Sequence, residues 1–504
     1  MLEAFEEIVL CDFEFYGADG DRPTVVCLCA RELRSGREFR LWHDQLGAEP
    51  PYRIDDKALF VAYYASAELC CHLVLGWKLP KNILDLFAEF RCRTNTSNEQ
   101  QPAAGLLDAM EHFNLDCIDA RTKEFWRDVV LRGPPWTGEE VTGILDYCAS
   151  DIDCLEELLK VFPLQPATFV LRRGSYMRAD ALMRHRGIPI DVPLFKDLSS
   201  FWTQLRAEII NDLNMRYPLF DGATFRKKLL EKWVAEHGIP AWPRTPTGQL
   251  CTDAGTLHAI SQRCPEAAEF CSTKITLDQL KTFKLAVGAD GRNRCMLSAF
   301  RSKTSRNQPS NSAFAFGLNA AFRSLIKPEP GNALVYLDFS GQEFALAAYF
   351  SDDPNMIAAY ESGDPYSEWA RKAGAMPVNG TKASHPNVRA MYKLASLGVL
   401  YGMREKTMAG YVGVSETRAR ELLRSHRTTF PRFWKWSAAV ENKGITRREL
   451  FTVFAWRMAV TKWAKPGTLA NFPMQANGAE MLRRACCLAV DGGCGFWPPC
   501  MTQF

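Results

Sequence analysis

A reversal of charge along the chain constrains its fold more than any other feature of the 504 residues. Residues 1–160 carry 16 Lys and Arg against 30 Asp and Glu, whereas residues 161–504 carry 45 against 28, so the net charge of +3 hides an acidic part and a basic part. At roughly 100–200 residues per domain the chain has room for about three domains. The charge step predicts that the first differs chemically from the rest. A basic majority suits a polyanion such as nucleic acid, and an acidic part can hold carboxylates for metal ions; solvated charge without a task is the competing reading.

Composition and ends narrow the class. With 47% hydrophobic and 24% charged residues the chain is globular, which excludes disorder and fibres. No apolar run reaches the roughly 18 residues of a membrane span. The opening MLEAFEEIVLCDFEF has acids where a signal or transit peptide needs Lys and Arg, so the protein is expected to stay in the cytoplasm, with no membrane partner. Its 17 cysteines are scattered without a CxxC pair, which argues for reduced thiols over a disulfide scaffold or zinc site.

EEIVLCDFEFYG and PTVVCLCARELR read as strands, and KALFVAYYASAELCCHLVLG and TGEEVTGILDYCASDIDCLEELLKVF carry helical patterns, which together predict an α/β domain over residues 1–165. After a break at FPLQPATF the pattern is mostly helical, interrupted at GIPAWPRTPTGQ and at the polar, basic stretch RSKTSRNQPSNSAFAFG. NALVYLDFSGQEFALAAYF reads as a strand meeting a helix, and helices follow at DPYSEWARKAGAMP, NVRAMYKLASLGVLYGM and GAEMLRRACCLAV. No internal repeat is visible, which argues against a solenoid.

In the acidic part, Asp12 and Glu14 lie two apart on an expected strand and share a face. Like charges that close repel unless a cation neutralises them, which points to a divalent metal; two solvated acids on a strand face are the competing reading. Tyr147 and Asp151 lie four apart on an expected helix, where a phenol beside a carboxylate can orient a water for attack on phosphorus. Order and spacing resemble the proofreading 3′–5′ exonucleases, whose pattern is DxE on a strand, a central Asp on a helix and YxxxD near the end. That resemblance implies Asp12, Glu14 and Asp151 as metal ligands and Tyr147 as catalytic. The central position falls to Glu68 in FVAYYASAEL, with Tyr64 where the family often has Asn. The longer arm of Glu68 moves its oxygens by more than about one ångström and is expected to weaken catalysis. Asp85 and Asp153 read as structural or solvated.

In the basic part, LVYLDFSGQEF places Asp338 at the end of an apolar strand and Glu343 just past a turn. A carboxylate ending a buried strand is costly without a task; metal coordination is one, and capping the following helix is another. RAMYKLASLGVLYG spaces Arg389, Lys393, Leu397 and Tyr401 by four, lining one helix face with a guanidinium, an ammonium and an aromatic ring that suit a triphosphate and its base. Gly398 and Gly402 are expected to keep the neighbouring surface flat.

With these segments the chain resembles a family A DNA polymerase of the phage type, which joins a proofreading exonuclease to a polymerase domain. LDFSGQEF is similar to that family's first palm motif, implying Asp338 as a metal ligand and Glu343 as the residue that blocks a ribose 2′-hydroxyl. RAMYKLASLGVLYG is similar to its fingers helix, implying Arg389 and Lys393 on the triphosphate and Tyr401 beside the nascent pair. KTSRNQPS, with Arg306, resembles a segment that contacts primer–template, and NFPMQANGAEMLRRA resembles the helix whose Asn471 and Gln475 would sense correct pairing in the minor groove.

Three departures accompany the resemblance. Leu397 stands where the family has Phe or Tyr under the incoming sugar, and Gly467 where it often has an Arg that touches the primer. The second palm motif, a His-Asp turn with the second metal-binding Asp, is not found before Phe504. Read from the third base of the Gly495 codon, the tail GFWPPCMTQF can encode LAPVHDAV, which looks like that motif. The expectation is a one- or two-base insertion or deletion just before Phe496, leaving a palm with Asp338 but no partner and negligible polymerase activity.

The implied fold is an α/β exonuclease (RNase H-like) domain followed by an α+β right-hand polymerase domain, with the start of the palm and the thumb at 174–300 and palm and fingers at 301–504. The implied reaction is template-directed phosphoryl transfer from deoxynucleoside triphosphates to a primer 3′-hydroxyl, with Mg²⁺ in two-metal sites. Primer–template DNA, deoxynucleoside triphosphates and single-stranded 3′ ends are the implied partners, in a bacterial or phage-infected cell. An active exonuclease on a degenerate polymerase body, and a DNA-binding protein without catalysis, remain as alternatives.

Overall fold

Ten residues from Glu7 to Tyr16 form β1, the strand around which the N-terminal part is built. β2 (Thr24–Glu32) and β3 (Arg37–Trp42) continue it as an antiparallel meander, and β4 (Ala58–Ala62) and β5 (Asn82–Asp85) run parallel to it, giving the order β3-β2-β1-β4-β5. In this computed structural model every residue is described except 97–102, 117–118, 240–241, 246, 280–284, 311–312, 319 and 494–504. All five residues of β4 are buried, as in a strand covered on both faces. The expected helix at KALFVAYY is therefore a strand, because a short continuous apolar run has no period that separates the two states. Helix begins only at α1 (Ser66–Val74).

α2 (Leu86–Thr94), α3 (Leu106–His112), α4 (Ala120–Arg132) and α5 (Gly138–Val161) complete the N-terminal part. A reciprocal cap starts α5: the Thr137 hydroxyl accepts the Glu140 amide at 3.2 Å and the Glu140 carboxylate accepts the Thr137 amide at 2.8 Å. That cap fixes the helix where it packs across β1 and β2, which brings Tyr147 and Asp151 to the sheet.

α6 (Ala167–Arg186) leads into the basic part and also lies against β5 and α1. A Cβ on Gly174 would meet the Ile83 carbonyl oxygen at 1.9 Å, so only glycine allows helix and strand to approach this closely. Beyond it α7 (Val192–Arg216), α8 (Lys227–Glu236), α9 (Ala254–Arg263) and α10 (Pro265–Gln279) enclose their own core of Leu213, Trp233, Leu257 and Phe270. α11 (Gln342–Ser351), α12 (Pro354–Glu361), α13 (Pro365–Lys372), α14 (Pro386–Leu400), α15 (Glu405–Val412), α16 (Glu416–Thr429) and α17 (Pro431–Arg447) surround Phe344, Trp369, Tyr392 and Phe433. α18 (Pro466–Asp491) returns against α6, α11 and α17.

The largest core belongs to both parts of the chain. Val9, Phe13 and Phe60 of the sheet form one apolar cluster with Met177 of α6, Phe300 and Trp456. At its edge the end of α2 is stitched to the basic part: the Asn95 amide donates to the carbonyls of Lys303 (2.8 Å) and Arg457 (2.7 Å), and the Ala459 amide donates to the Asn95 carbonyl.

One expected strand is absent. Residues 332–339 have no ladder partner among the described residues, and Val335, Tyr336 and Leu337 are exposed. An apolar run becomes a strand only where neighbouring strands take up its amides and carbonyls, so pattern alone did not suffice here. The helix expected after it is present as α11.

His72 of α1 is fully buried beneath β1. Its Nδ1 lies 3.1 Å from the Lys78 carbonyl, which can only accept, so Nδ1 carries the proton and Nε2 accepts from the Tyr52 hydroxyl at 2.6 Å. Burial pushes its pKa down to about 4. The folded state then binds fewer protons than the unfolded one below the ordinary histidine value, so this contribution to stability is complete above about pH 6.5 and is lost as pH falls towards 4. Denaturant titrations should show wild type losing about 3 kcal/mol more than His72→Gln between pH 7 and pH 4; parallel acid limbs for the two proteins would contradict it.

Candidate functional site

Asp12 and Glu14 flank Phe13 on β1, and strand alternation sends both carboxylates to the opposite face from the Phe13 ring, under α5. There they meet Asp151, and one ligand oxygen from each of the three lies within 4.8 Å of the others. Tyr147 stands one turn before Asp151 and is buried. Glu68 comes from α1 and lies outside that trio; its Oε2 accepts the Phe13 amide at 2.7 Å, which holds it against the strand between Asp12 and Glu14.

The electrostatics are those of crowded acids. Burial, then the charge of Asp151, pushes the Asp12 carboxyl up to about 8. Glu14 and Glu68 are pushed well above the ordinary carboxylate range by burial and by Asp12. Burial also raises Asp151, offset by Lys123. Such a set favours its charged form only beside a cation, and an all-oxygen donor set suits a hard divalent ion such as Mg²⁺. The residues present therefore fit a metal held by Asp12, Glu14 and Asp151. Burial and Glu14 keep the Tyr147 phenol protonated, so it can donate a hydrogen bond. Asp85 and Asp153 are structural: Asp85 caps α2 through the Ala88 amide and also accepts the Ala65 amide, and Asp153 pairs with Arg31 at 2.8 Å.

Sequence reasoning missed two neighbours. Lys123 of α4 places Nζ 2.6 Å from both oxygens of Asp151, and the Cys148 thiol donates to Asp12 at 3.4 Å. No spacing rule marks Lys123, which lies 28 residues before its partner on another helix. Cys148 was visible only as the residue after Tyr147.

A second constellation lies in the basic part. Arg306 donates to Glu343 of α11 at 2.7 Å, with both side chains nearly buried. Tyr401 follows the last residue of α14 and sits beside Glu343 and Gln475; burial and the Glu343 charge push its pKa up to about 12. Arg301, Lys303, Thr304, Tyr401, Asn471 and Gln475 line an open groove of about 550 Å³. The Asn471 Oδ1 is buried without a protein partner, which leaves an acceptor for a ligand. On α14, Arg389 donates to Asp364 at 2.9 Å and stacks over Tyr366, Lys393 is exposed and Leu397 is half-buried. Asp338 is exposed, so the expected desolvation of a strand-end carboxylate does not apply to it.

Residues 306–491 match DNA polymerase family A. Over that segment the chain is similar to the DNA polymerases of that family. It is 24% identical over 347 residues to DNA polymerase I of Aquifex aeolicus, covering 66% of this chain and 58% of that protein. Against the thermostable DNA polymerase I of Thermus aquaticus it is 24% identical over 331 residues, covering 60% of this chain and 39% of that one. The chain thus spans less than two thirds of these relatives. Its fold is similar to the POL domain of Pol1 from M. smegmatis, in complex with DNA primer-template and dNTP, at a TM-score of 0.69 and 17% identity over 96% of this chain and 86% of that one.

The glycine at position 467 has a packing reason. Gly402 turns the backbone after α14 at φ +66°, and a Cβ there would meet the Gly467 Cα at 2.4 Å; a Cβ on Gly467 would meet the Tyr401 carbonyl oxygen at 3.0 Å. The two glycines let α14 and α18 touch backbone to backbone, so Gly402 belongs to this contact and not to a flat helix face. Gly398 instead packs on Met408. The expectation about the second palm motif falls on 494–504, outside the described residues. Gly402→Ala should destabilise by about 1–3 kcal/mol through overpacking and backbone strain. Urea unfolding checks this, and an unchanged midpoint would contradict the contact.

Proposed function

We propose that this chain is a DNA-directed DNA polymerase of family A with a 3′–5′ proofreading exonuclease, acting in DNA replication in a bacterial or phage-infected cytoplasm. The observation that carries the polymerase reading is convergence: Arg306, Glu343 and Gln475, from three separate segments of sequence, meet at Tyr401 of a fourth, and Tyr401 and Gln475 line the groove. Residues 1–165 form the RNase H-like exonuclease, 174–300 the start of the palm and the thumb, and 301–504 the palm and fingers. The ligands follow from the chemistry on each side. Primer–template DNA lies along the basic groove, a deoxynucleoside triphosphate meets Arg389 and Lys393, and a single-stranded 3′ end enters at Asp12 and Asp151.

In the polymerase site Arg306 holds Glu343 by its ion pair, so that the free carboxylate edge faces the sugar of an incoming nucleotide. An added 2′-hydroxyl would crowd that edge, and Leu397 in place of an aromatic ring leaves more room beneath the sugar. Arg389 exchanges its Asp364 partner for phosphate oxygens, a stronger charge-assisted contact. Asn471 and Gln475 offer polar groups to the minor-groove edge of the terminal pair. Asp338 would hold Mg²⁺ in the polymerase site, and Asp12, Glu14 and Asp151 would hold it in the exonuclease site with Glu68 beside them. A bound Mg²⁺ supplies charge neutralisation and polarises the phosphate under attack. In the exonuclease site the protonated Tyr147 orients water, and Glu68, fixed by the Phe13 amide, supports Asp12.

Two assays on the intact chain test this. Asp12→Ala should lower Mg²⁺-dependent degradation of labelled single-stranded DNA by about 100-fold or more, since loss of a ligand costs at least as much as loss of an outer partner. Glu343→Ala and Arg389→Ala should weaken template-directed deoxynucleotide binding to the primer–template complex while leaving that degradation unchanged. Degradation insensitive to Asp12→Ala would overturn the exonuclease assignment, and nucleotide binding insensitive to both other variants would overturn the polymerase site.

A further inference from the structure

Lys123 is held above the acidic centre by a built contact. α4 crosses α5 where the Trp126 ring lies over Gly143, so closely that a Cβ on Gly143 would meet the ring at 1.9 Å. Trp126 and Lys123 are three apart and share the face of α4 that meets α5. The tryptophan thus fixes the backbone from which Lys123 reaches down, and its ammonium sits 2.6 Å from each oxygen of Asp151 and 5.6 Å from the centre of the Tyr147 ring. The side chain is only 20% exposed.

This position conflicts with a divalent ion. Asp151 shares the centre with Asp12 and Glu14 at ligand separations within 4.8 Å, and both Asp151 oxygens are engaged by one ammonium. A dication held by the same oxygens would be repelled by the ammonium, because like charges interact strongly in a partly buried site. The two cations therefore compete for Asp151. We propose that Lys123 is the resident counter-ion of the carboxylate centre, a positioning residue that holds Asp151 in the metal-free protein and is displaced when a divalent ion binds. This rests on the reading of Asp12, Glu14 and Asp151 as a divalent centre.

Displacement has two consequences. Metal affinity is lowered by the cost of breaking the Lys123–Asp151 contact, so the centre fills only when the divalent ion outcompetes an internal ligand. The released ammonium, tethered one helix away and three residues from the Trp126 anchor, is carried to the rim of the centre, where it can meet a phosphate oxygen of the strand whose 3′ end occupies the site.

The test is Mn²⁺ binding to the intact chain without DNA, followed by isothermal calorimetry and by loss of the free-ion paramagnetic signal at pH 8.5. Lys123→Met keeps the apolar stem over Tyr147 and removes the charge; Lys123→Arg keeps the charge. Lys123→Met should bind Mn²⁺ about tenfold or more tightly than wild type, the scale of one charged hydrogen bond, and Lys123→Arg should stay within about threefold of wild type on the same scale. Affinity for Lys123→Met that is unchanged or weaker would overturn the proposal. Asp12→Asn separates the two readings: binding in wild type that this variant abolishes supports the divalent centre whatever Lys123 does, whereas binding indifferent to Asp12→Asn removes the centre and the proposal together. Circular dichroism of each variant controls for folding.

Discussion

The fold depends on a buried ion pair between Arg173 of α6 and Glu89 of α2. The guanidinium donates to both carboxylate oxygens at 2.6 and 2.8 Å and also to Gln165 and the Phe454 carbonyl, and neither partner has appreciable exposure. Removing one member of such a pair leaves a buried charge without compensation and costs about 3–5 kcal/mol. Its placement matters more than its strength. It joins the helix that follows the last sheet strand to the helix that opens the basic part, beside Gly174 on Ile83 and next to the Asn95 bridge. Sheet and helical body consequently share one core, and the two candidate sites are held in a fixed relation.

Both sites follow one electrostatic rule with opposite signs. The acidic centre gathers carboxylates that burial and mutual repulsion disfavour, and it carries one internal cation, Lys123. The basic part gives its Arg306 and Arg389 internal anions, Glu343 and Asp364. Each set is thereby partly neutralised within the protein. The charge step near residue 160 is the sequence signature of this division.

Much of this was legible in the sequence, for local reasons. The two-residue period of a strand placed Asp12 and Glu14 on one face, and the turn of a helix placed Tyr147 over the same spot as Asp151. The strand at Ala58–Ala62 was misread because five buried apolar residues have no period to show. The apolar run before Asp338 was read as a strand because pattern reports burial preference but not the presence of a ladder partner. Lys123 and the Arg173–Glu89 pair were invisible because each joins segments far apart in sequence through tertiary packing alone. Gly467 looked like a lost contact and proved to be a packing requirement, which only the approach of Gly402 could reveal.

A shared core makes a direct claim about cooperativity. Hydrogen–deuterium exchange of the intact chain, followed by mass spectrometry at rising urea concentration, reports which segments open together. Amides of β1 and β4 should lose protection with the same urea midpoint as those of α6 and α18, while α8–α10, which have a core of their own, should open at a lower one. Loss of protection in β1 and β4 at urea concentrations where α6 and α18 remain closed would contradict it.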